Sequence, residues 1–437
     1  MSENKVRELY NSSIKHKYTA GPFLSWLLFI LIMLLLINAA LPQVEILLFS
    51  GTVPIPSISI KLAIVIVISV YSITHINYSL NKTSAITLVL LLSFFVIETA
   101  LFLILGHYPI LVLVFGYNAM YFLLALALVM TNFRSTISSK PAEVTLLFIS
   151  IPIIILGISQ TLLNKPLIPT KSVGGYFTVL VWNYYGQVRA FSLFDAPAYY
   201  STFLIFIGGI LLSHTLTKGR FKKRLFYFLL FTIVVFSEIM TLNRAGIFAF
   251  MFAMFVVIAI YRNSYGKTNL FLVMVCSLCA SIALTFAVPV ISKAFPYVFA
   301  FKDQSMFERY AEWVYWLQAI LENPQKLLFG SGLFQDSMFR VTKKIIIDNL
   351  FLAVMVQFGI IGLAIILFII YKIWEIMVSH YLYAMAPMSI ACIALFTVWP
   401  IFAMFGTGLN LFPIYGALTF LIVRPDSVAR PFGGKAA

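Results

Sequence analysis

The chain has 437 residues, 62% of them hydrophobic and only 10% charged, with a formal charge of +15. Its mean hydropathy is +1.00, and apolar runs of about 17 residues or more recur along its length, as bilayer-spanning helices require. That excludes a string of soluble domains. It also moves the excess of cations from nucleic-acid binding to the Lys- and Arg-rich cytoplasmic loops of a membrane protein. The expected fold class is therefore all-α: one polytopic helical membrane domain over residues 1–437.

The first 20 residues are polar and basic, and the apolar run 22–41 is too long and uniform for a cleaved signal peptide. It reads as a retained first helix. Hydropathy and length predict about twelve spans in all. They cover 22–41, 61–77, 84–106, 109–131, 142–161, 197–217, 225–242, 245–261, 269–291, 348–371, 383–402 and 407–423.

The cations set the orientation. With the N-terminus inside, Lys5, Arg7, Lys15, Lys17, Lys82, Arg134, Lys140, Arg262, Lys267, Lys372, Arg424, Arg430 and Lys435 fall in inner segments, with the dense run Lys218, Arg220, Lys222, Lys223 and Arg224. Both termini are then cytoplasmic, and two long polar loops, 161–196 and 292–347, face the periplasm or cell exterior. The second loop is too aromatic to be disordered. Within it, residues 307–322 place Tyr310, Trp313, Val314, Leu317 and Leu321 at helical spacing, with Glu308, Glu312 and Glu322 elsewhere. This predicts a helix lying along the membrane surface, ended by Pro324 and followed by a tight turn at Gly330-Ser331-Gly332.

Candidate chemistry concentrates at the outer level. Arg244, in TLNRAG between two spans, must pair or bind an anion at that depth. A salt bridge to Glu238 or Asp195 is one possibility. The other is convergence with Arg189 and Arg309 on a diphosphate, whose oxygens suit the planar guanidinium fork. Lys343 and Lys344 add positive field. Asp348-Asn349 opens the next span, as a helix cap, as a general base, or as both. Glu98 and Glu238 read as structural polar groups within spans. His16, His75, His107, His214 and His380 are scattered over both sides, and there is no DxD pair, so neither metal nor cofactor is expected. Cys276, Cys279 and Cys392 lie in apolar spans and read as buried small side chains.

Four segments taken together, VRAFSLFDAPAYYSTFL, TLNRAGIFAF, ERYAEWVYWLQAILENPQKLLFGSGL and DNLFLAVMVQFGIIGLA, resemble the bacterial O-antigen polymerase and O-antigen ligase family over residues 180–370. The resemblance implies a metal-independent, inverting glycosyltransferase of the GT-C type, acting at the periplasmic face of the inner membrane. Its donor would be a glycan on undecaprenyl pyrophosphate. Arg189, Arg244 and Arg309 match the family's arginines, and Gly330 and Gly332 match its loop G-x-G. Ligases of the family usually carry His before the Asn that opens the corresponding span. The Asp348-Asn349 opening here fits polymerase-like members better. The implied partners are the lipid-linked oligosaccharide, membrane lipid, a chain-length regulator and a flippase, with no nucleic acid. A transporter is disfavoured, since the charges lie at one face and no internal repeat is visible.

This topology is directly testable. A reporter fused near Ser337 is expected to show periplasmic activity, and one near Lys222 cytoplasmic activity. Cytoplasmic activity at Ser337 would invert the orientation.

Overall fold

The structure, a computed structural model, describes residues 139–167, 183–184, 186–194, 197–217, 219–262, 304–330, 349–384 and 387–404, with a few positions between 272 and 281. The expected spans 22–41, 61–77, 84–106, 109–131, 407–423 and most of 269–291 lie outside the described residues. Glu98 and His107 lie there too.

The described part is mostly helical. In chain order it runs α1 (Ser139–Leu162), β1 (Asn183–Tyr184), β2 (Gln187–Val188), α2 (Pro197–Leu216), α3 (Phe221–Met240), α4 (Arg244–Tyr261), α5 (Gln304–Leu321), α6 (Pro324–Phe329), α7 (Leu350–Ala384) and α8 (Pro387–Met404). By length and composition, four stretches are able to cross a membrane: Glu143–Leu162, Pro197–Leu216, Arg244–Tyr261 and Leu350–Phe368.

The spans expected at 142–161, 197–217 and 245–261 agree with α1, α2 and α4 to within a few residues. Helix α3 begins at Phe221 rather than 225 because Lys222, Lys223 and Arg224, all good helix formers, join its first turn. The span expected to end at 371 continues through Lys372 to Ala384. The all-helical expectation is also modified within the first long loop. There Asn183 pairs with Val188 and Tyr184 with Gln187 in a small antiparallel hairpin, which Gly186 turns with φ +79°.

Helix α2 is the centre of the bundle and is buried along nearly its whole length. Two adjacent glycines let its neighbours come close. A Cβ at Gly209 would sit 2.9 Å from Ala391 Cβ of α8, and one at Gly208 would sit 2.9 Å from the Phe250 ring of α4. Small residues at such contacts are how membrane helices gain dispersion without a hydrophobic drive between them.

Hydrogen bonds fix the two ends of the bundle. At one end, Glu143 of α1 meets His214 Nε2 of α2 at 3.0 Å and accepts from Met388 N of α8 at 3.3 Å. The His214 ring stacks on Tyr227 of α3, 4.5 Å between centroids. Arg224 Nε donates to Thr215 O nearby at 2.9 Å. This end therefore holds the basic run. The start of α8 lies there, so Trp399, further along α8, lies toward the opposite end. Phe351 packs edge-on against Trp399, 6.1 Å between centroids, so the first turn of α7 is also toward that opposite end.

Two glycines lock the second loop onto α7. Helix α7 breaks at Gly359, with φ +67° and ψ −171°. The end of α6 is seated in the break. A Cβ at Gly330 (φ +80°) would run into the backbone of Gln357, and a Cβ at Gly359 would run into the backbone of Leu328. Each glycine is thus required twice, by its left-handed φ and by the close approach of another backbone. Trp313, Trp316 and Ile320 of α5 complete the contact by packing on Leu352, Ala353, Met355 and Val356.

The structure adds two details to the loop. The face of α5 that packs on α7 is Trp313, Trp316 and Ile320, while Leu321 is exposed, because the helix meets α7 through one narrow stripe. Pro324 does more than end a helix: it opens α6 at the first helical position, with the Asn323 side chain accepting from Gln325 N and Lys326 N. One correction concerns the cysteines, since Cys276 and Cys279 are exposed and only Cys392 is buried.

Alanine at Gly359 or Gly330 is expected to destabilise the chain by at least about 2 kcal/mol, from the left-handed backbone and the overpacking together. Thermal melting of purified protein in detergent measures this. Melting unchanged by both substitutions would show that the break is not held by this contact.

Candidate functional site

The end of the bundle opposite the basic run holds Arg189, Arg244 and Asn349 of the predicted set, and one segment organises it. Residues 186–194 cross from the hairpin toward α2 while bonded to two helix ends. Asn164, just past α1, accepts from Val188 N at 2.7 Å and donates to Gly186 O at 3.2 Å. Gln160 of α1, wholly buried, accepts from Ser192 N at 2.7 Å and donates to Ser192 O at 2.9 Å. Ser192 Oγ donates to Ile153 O at 2.6 Å. A buried segment without regular structure must satisfy its backbone in some such way.

The same segment clasps the end of α3. Arg189 donates through Nε to Thr241 O at 2.9 Å and through Nη2 to Leu242 O at 3.1 Å. Ala190 N donates to Met240 O at 2.9 Å. A cation on the last carbonyls of a helix is favoured by the helix dipole, and the planar fork spans two carbonyls as an ammonium does not.

The clasped turn is strained. Leu242 has φ +48°, a left-handed conformation that costs a branched residue about 1 kcal/mol. Asn164 (φ 48°) and Ser192 (φ 53°) share that conformation at this same end. Strain of this kind persists only where the surroundings over-determine it, as the hydrogen bonds above do.

The turn delivers Arg244. Asn243 is the N-cap of α4 and makes no side-chain capping bond. Arg244 is the first residue of α4 and is exposed. Basic residues are disfavoured at a helix start, so helix stability does not account for this arginine. Backbone amides and a guanidinium together make this a region of positive potential.

Glu238 does not bridge to Arg244. Its carboxylate accepts from Ser201 Oγ of α2, and Oε2 has no hydrogen-bond partner among the described residues. Beside it, Tyr200 OH and Ser237 Oγ are 2.7 Å apart.

At the start of α7, Asn349 is fully buried and its Oδ1 accepts from Leu352 N at 3.1 Å. The helix cap at this opening is therefore Asn349. Gly330, expected to contribute to substrate binding, lies against the Gly359 break. Arg309 belongs to α5, with its side chain outside the described part. Asp195, Gly332, Lys343, Lys344 and Asp348 lie outside the described residues. Of the predicted set, the structure brings Arg189 and the turn before Arg244 into contact and places Asn349 toward the same end.

Sequence reasoning missed Gln160, Asn164 and Ser201. Their signal was a polar side chain within or at the edge of an apolar span, which is costly unless it is bonded.

Arg189→Ala leaves two carbonyls of a partly buried turn without their donor, an expected loss of about 1–3 kcal/mol, with Lys restoring only part. Melting curves of the variant in detergent test this, and a fully stable Arg189→Ala would remove the clasp from the account.

Comparison with known proteins bears on this same region. Residues 228–367 match the family model described as O-antigen ligase. No curated protein matches the chain. The matched segment runs from α3, through the Arg244 turn and α5, past the Gly359 break of α7. With the four membrane-capable helices, the match supports an integral membrane protein with a function of the O-antigen ligase/polymerase type in general. The match over residues 228–367 thus supports the O-antigen ligase/polymerase family resemblance read from the sequence.

Proposed function

We propose that the chain is a polysaccharide polymerase that joins glycan repeat units carried on undecaprenyl pyrophosphate at the periplasmic face of the bacterial inner membrane. The observation that carries this reading is the contact of Arg189 with the turn that launches Arg244, within and beside the family-matched segment.

In the proposed reaction, a sugar hydroxyl of the acceptor attacks the anomeric carbon of the donor glycan from the face opposite the lipid diphosphate. The carbon–oxygen bond to the diphosphate breaks, and configuration inverts. Charge grows on the departing diphosphate, and Arg244, Arg189 and Arg309 stabilise it there, with Lys343 and Lys344 adding field. Asp348 takes the acceptor's proton. Because Asn349 supplies the helix cap, a proton-accepting role for Asp348 does not compete with capping. Guanidinium groups take the place a metal would hold at the diphosphate, so no cofactor enters. A chain-length regulator and a flippase are the proposed partners.

The match to the O-antigen ligase model favours a second reading, which we take as a ligase that moves the glycan to lipid A core. Gel analysis of surface polysaccharide in a deletion strain separates the two. Single-repeat capping of the lipid core is the polymerase outcome. Loss of capping with accumulated lipid-linked polymer would establish the ligase instead. With purified protein, transfer should survive EDTA, and loss restored by added Mg or Mn would contradict the metal-free mechanism.

A further inference from the structure

Glu238, Ser201 and Gly246 form a cluster that the proposed reaction leaves unused. Glu238 is 1% exposed, near the end of α3. One carboxylate oxygen accepts from Ser201 Oγ across the α2–α3 interface, and the other has no hydrogen-bond partner among the described residues. Directly against this pair lies Gly246, two residues beyond Arg244 in the first turn of α4. A Cβ there would collide with Ser201 Oγ and would come within 2.8 Å of Asn243 Nδ2 and 2.9 Å of Glu238 Oε1. The absence of a side chain lets the first turn of α4 seat itself on the Ser201–Glu238 pair.

Arg244 is thereby constrained from both directions along the chain. Before it, Arg189 holds the carbonyls of Thr241 and Leu242. After it, Gly246 rests on Ser201 and Glu238. Thr241 Oγ1 links the two constraints by donating to Glu238 O at 2.7 Å.

We infer that Ser201, Glu238 and Gly246 are positioning residues that set the depth and aim of Arg244 at the lipid diphosphate. The inference rests on the diphosphate reading above. Glu238 acts through its hydrogen bond and its volume, and it touches neither donor nor acceptor. Small displacements matter at such a site, since charge-assisted hydrogen bonds weaken steeply as they lose alignment.

The test uses the full chain in lipid nanodiscs, with undecaprenyl pyrophosphate as the probe and melting followed in parallel. Arg244→Ala is the reference and should weaken binding by tenfold or more, about the loss of one hydrogen bond to a charged group. Glu238→Ala should approach that loss. Ser201→Ala, which removes a single hydroxyl and so keeps the test open if Glu238→Ala fails to fold, should weaken binding by about threefold or more. Glu238→Gln keeps an acceptor for Ser201 and nearly the same volume, so it should recover most of what alanine loses. A group that merely held the helices together would lower melting in Ser201→Ala without this graded change in affinity. Native affinity in both Ser201→Ala and Glu238→Ala, beside a weak Arg244→Ala, overturns the positioning role alone. Gln binding as poorly as Ala also overturns it. Native affinity in Arg244→Ala overturns the diphosphate reading and, with it, the positioning role.

Discussion

The guanidinium of Arg189 on the carbonyls of Thr241 and Leu242 is the contact on which the rest of this end of the molecule depends. A helix that ends inside a protein leaves its last carbonyls unsatisfied, and α3 ends where no following turn of helix can serve them. The donors come from the segment 186–194, which Gln160 and Asn164 hold in place on α1. The chain can then reverse through a left-handed Leu242 and start α4 with an arginine. A residue that reads as a ligand-binding cation thus spends two of its donors fixing the place of the next one.

The second loop depends on a comparable arrangement. A membrane helix with a break must satisfy or cover the interrupted backbone, because lipid cannot. In α7 the break at Gly359 is covered by the end of α6, and Gly330 and Gly359 each give up a side chain so that the two backbones can meet. The α5 tryptophans seal the contact on the half of α7 that precedes the break. The family-matched segment therefore joins the Arg244 turn to this junction through continuous chain. The other end of the bundle is closed by Glu143 and His214, far along α2 from the proposed chemistry.

Much of this was legible in the sequence, for physical reasons that also set the limits. Helices α1, α2 and α4 were visible because an apolar run long enough to cross a bilayer has few other uses. That Arg189 and Arg244 share one level followed from their places at span ends. The bond of Arg189 to backbone carbonyls did not follow, because a carbonyl leaves no mark in the sequence. Gly330 was singled out through family resemblance, but its partner Gly359 is distant along the chain and inside a span, where glycine is common. The apolar spacing of α5 pointed to Trp313, but Trp316 and Ile320, which also pack on α7, were missed because their burial depends on where another helix lies. The roles of Gln160 and Ser201 depend on Ser192 and Glu238, 32 and 37 residues further along the chain, and periodicity carries no information about them.

The central claim is that Arg189 and Arg244 serve one diphosphate as a unit, and a double-mutant cycle on donor affinity tests it most directly. Each is replaced by alanine singly and together, and affinity for undecaprenyl pyrophosphate is measured in every variant. Groups acting on one ligand through one another lose far less together than the product of their separate losses, with coupling of about 0.5–3 kcal/mol. The account predicts such a double variant, only slightly weaker than the weaker single one. Losses that multiply fully would show that the two arginines act independently and would contradict it.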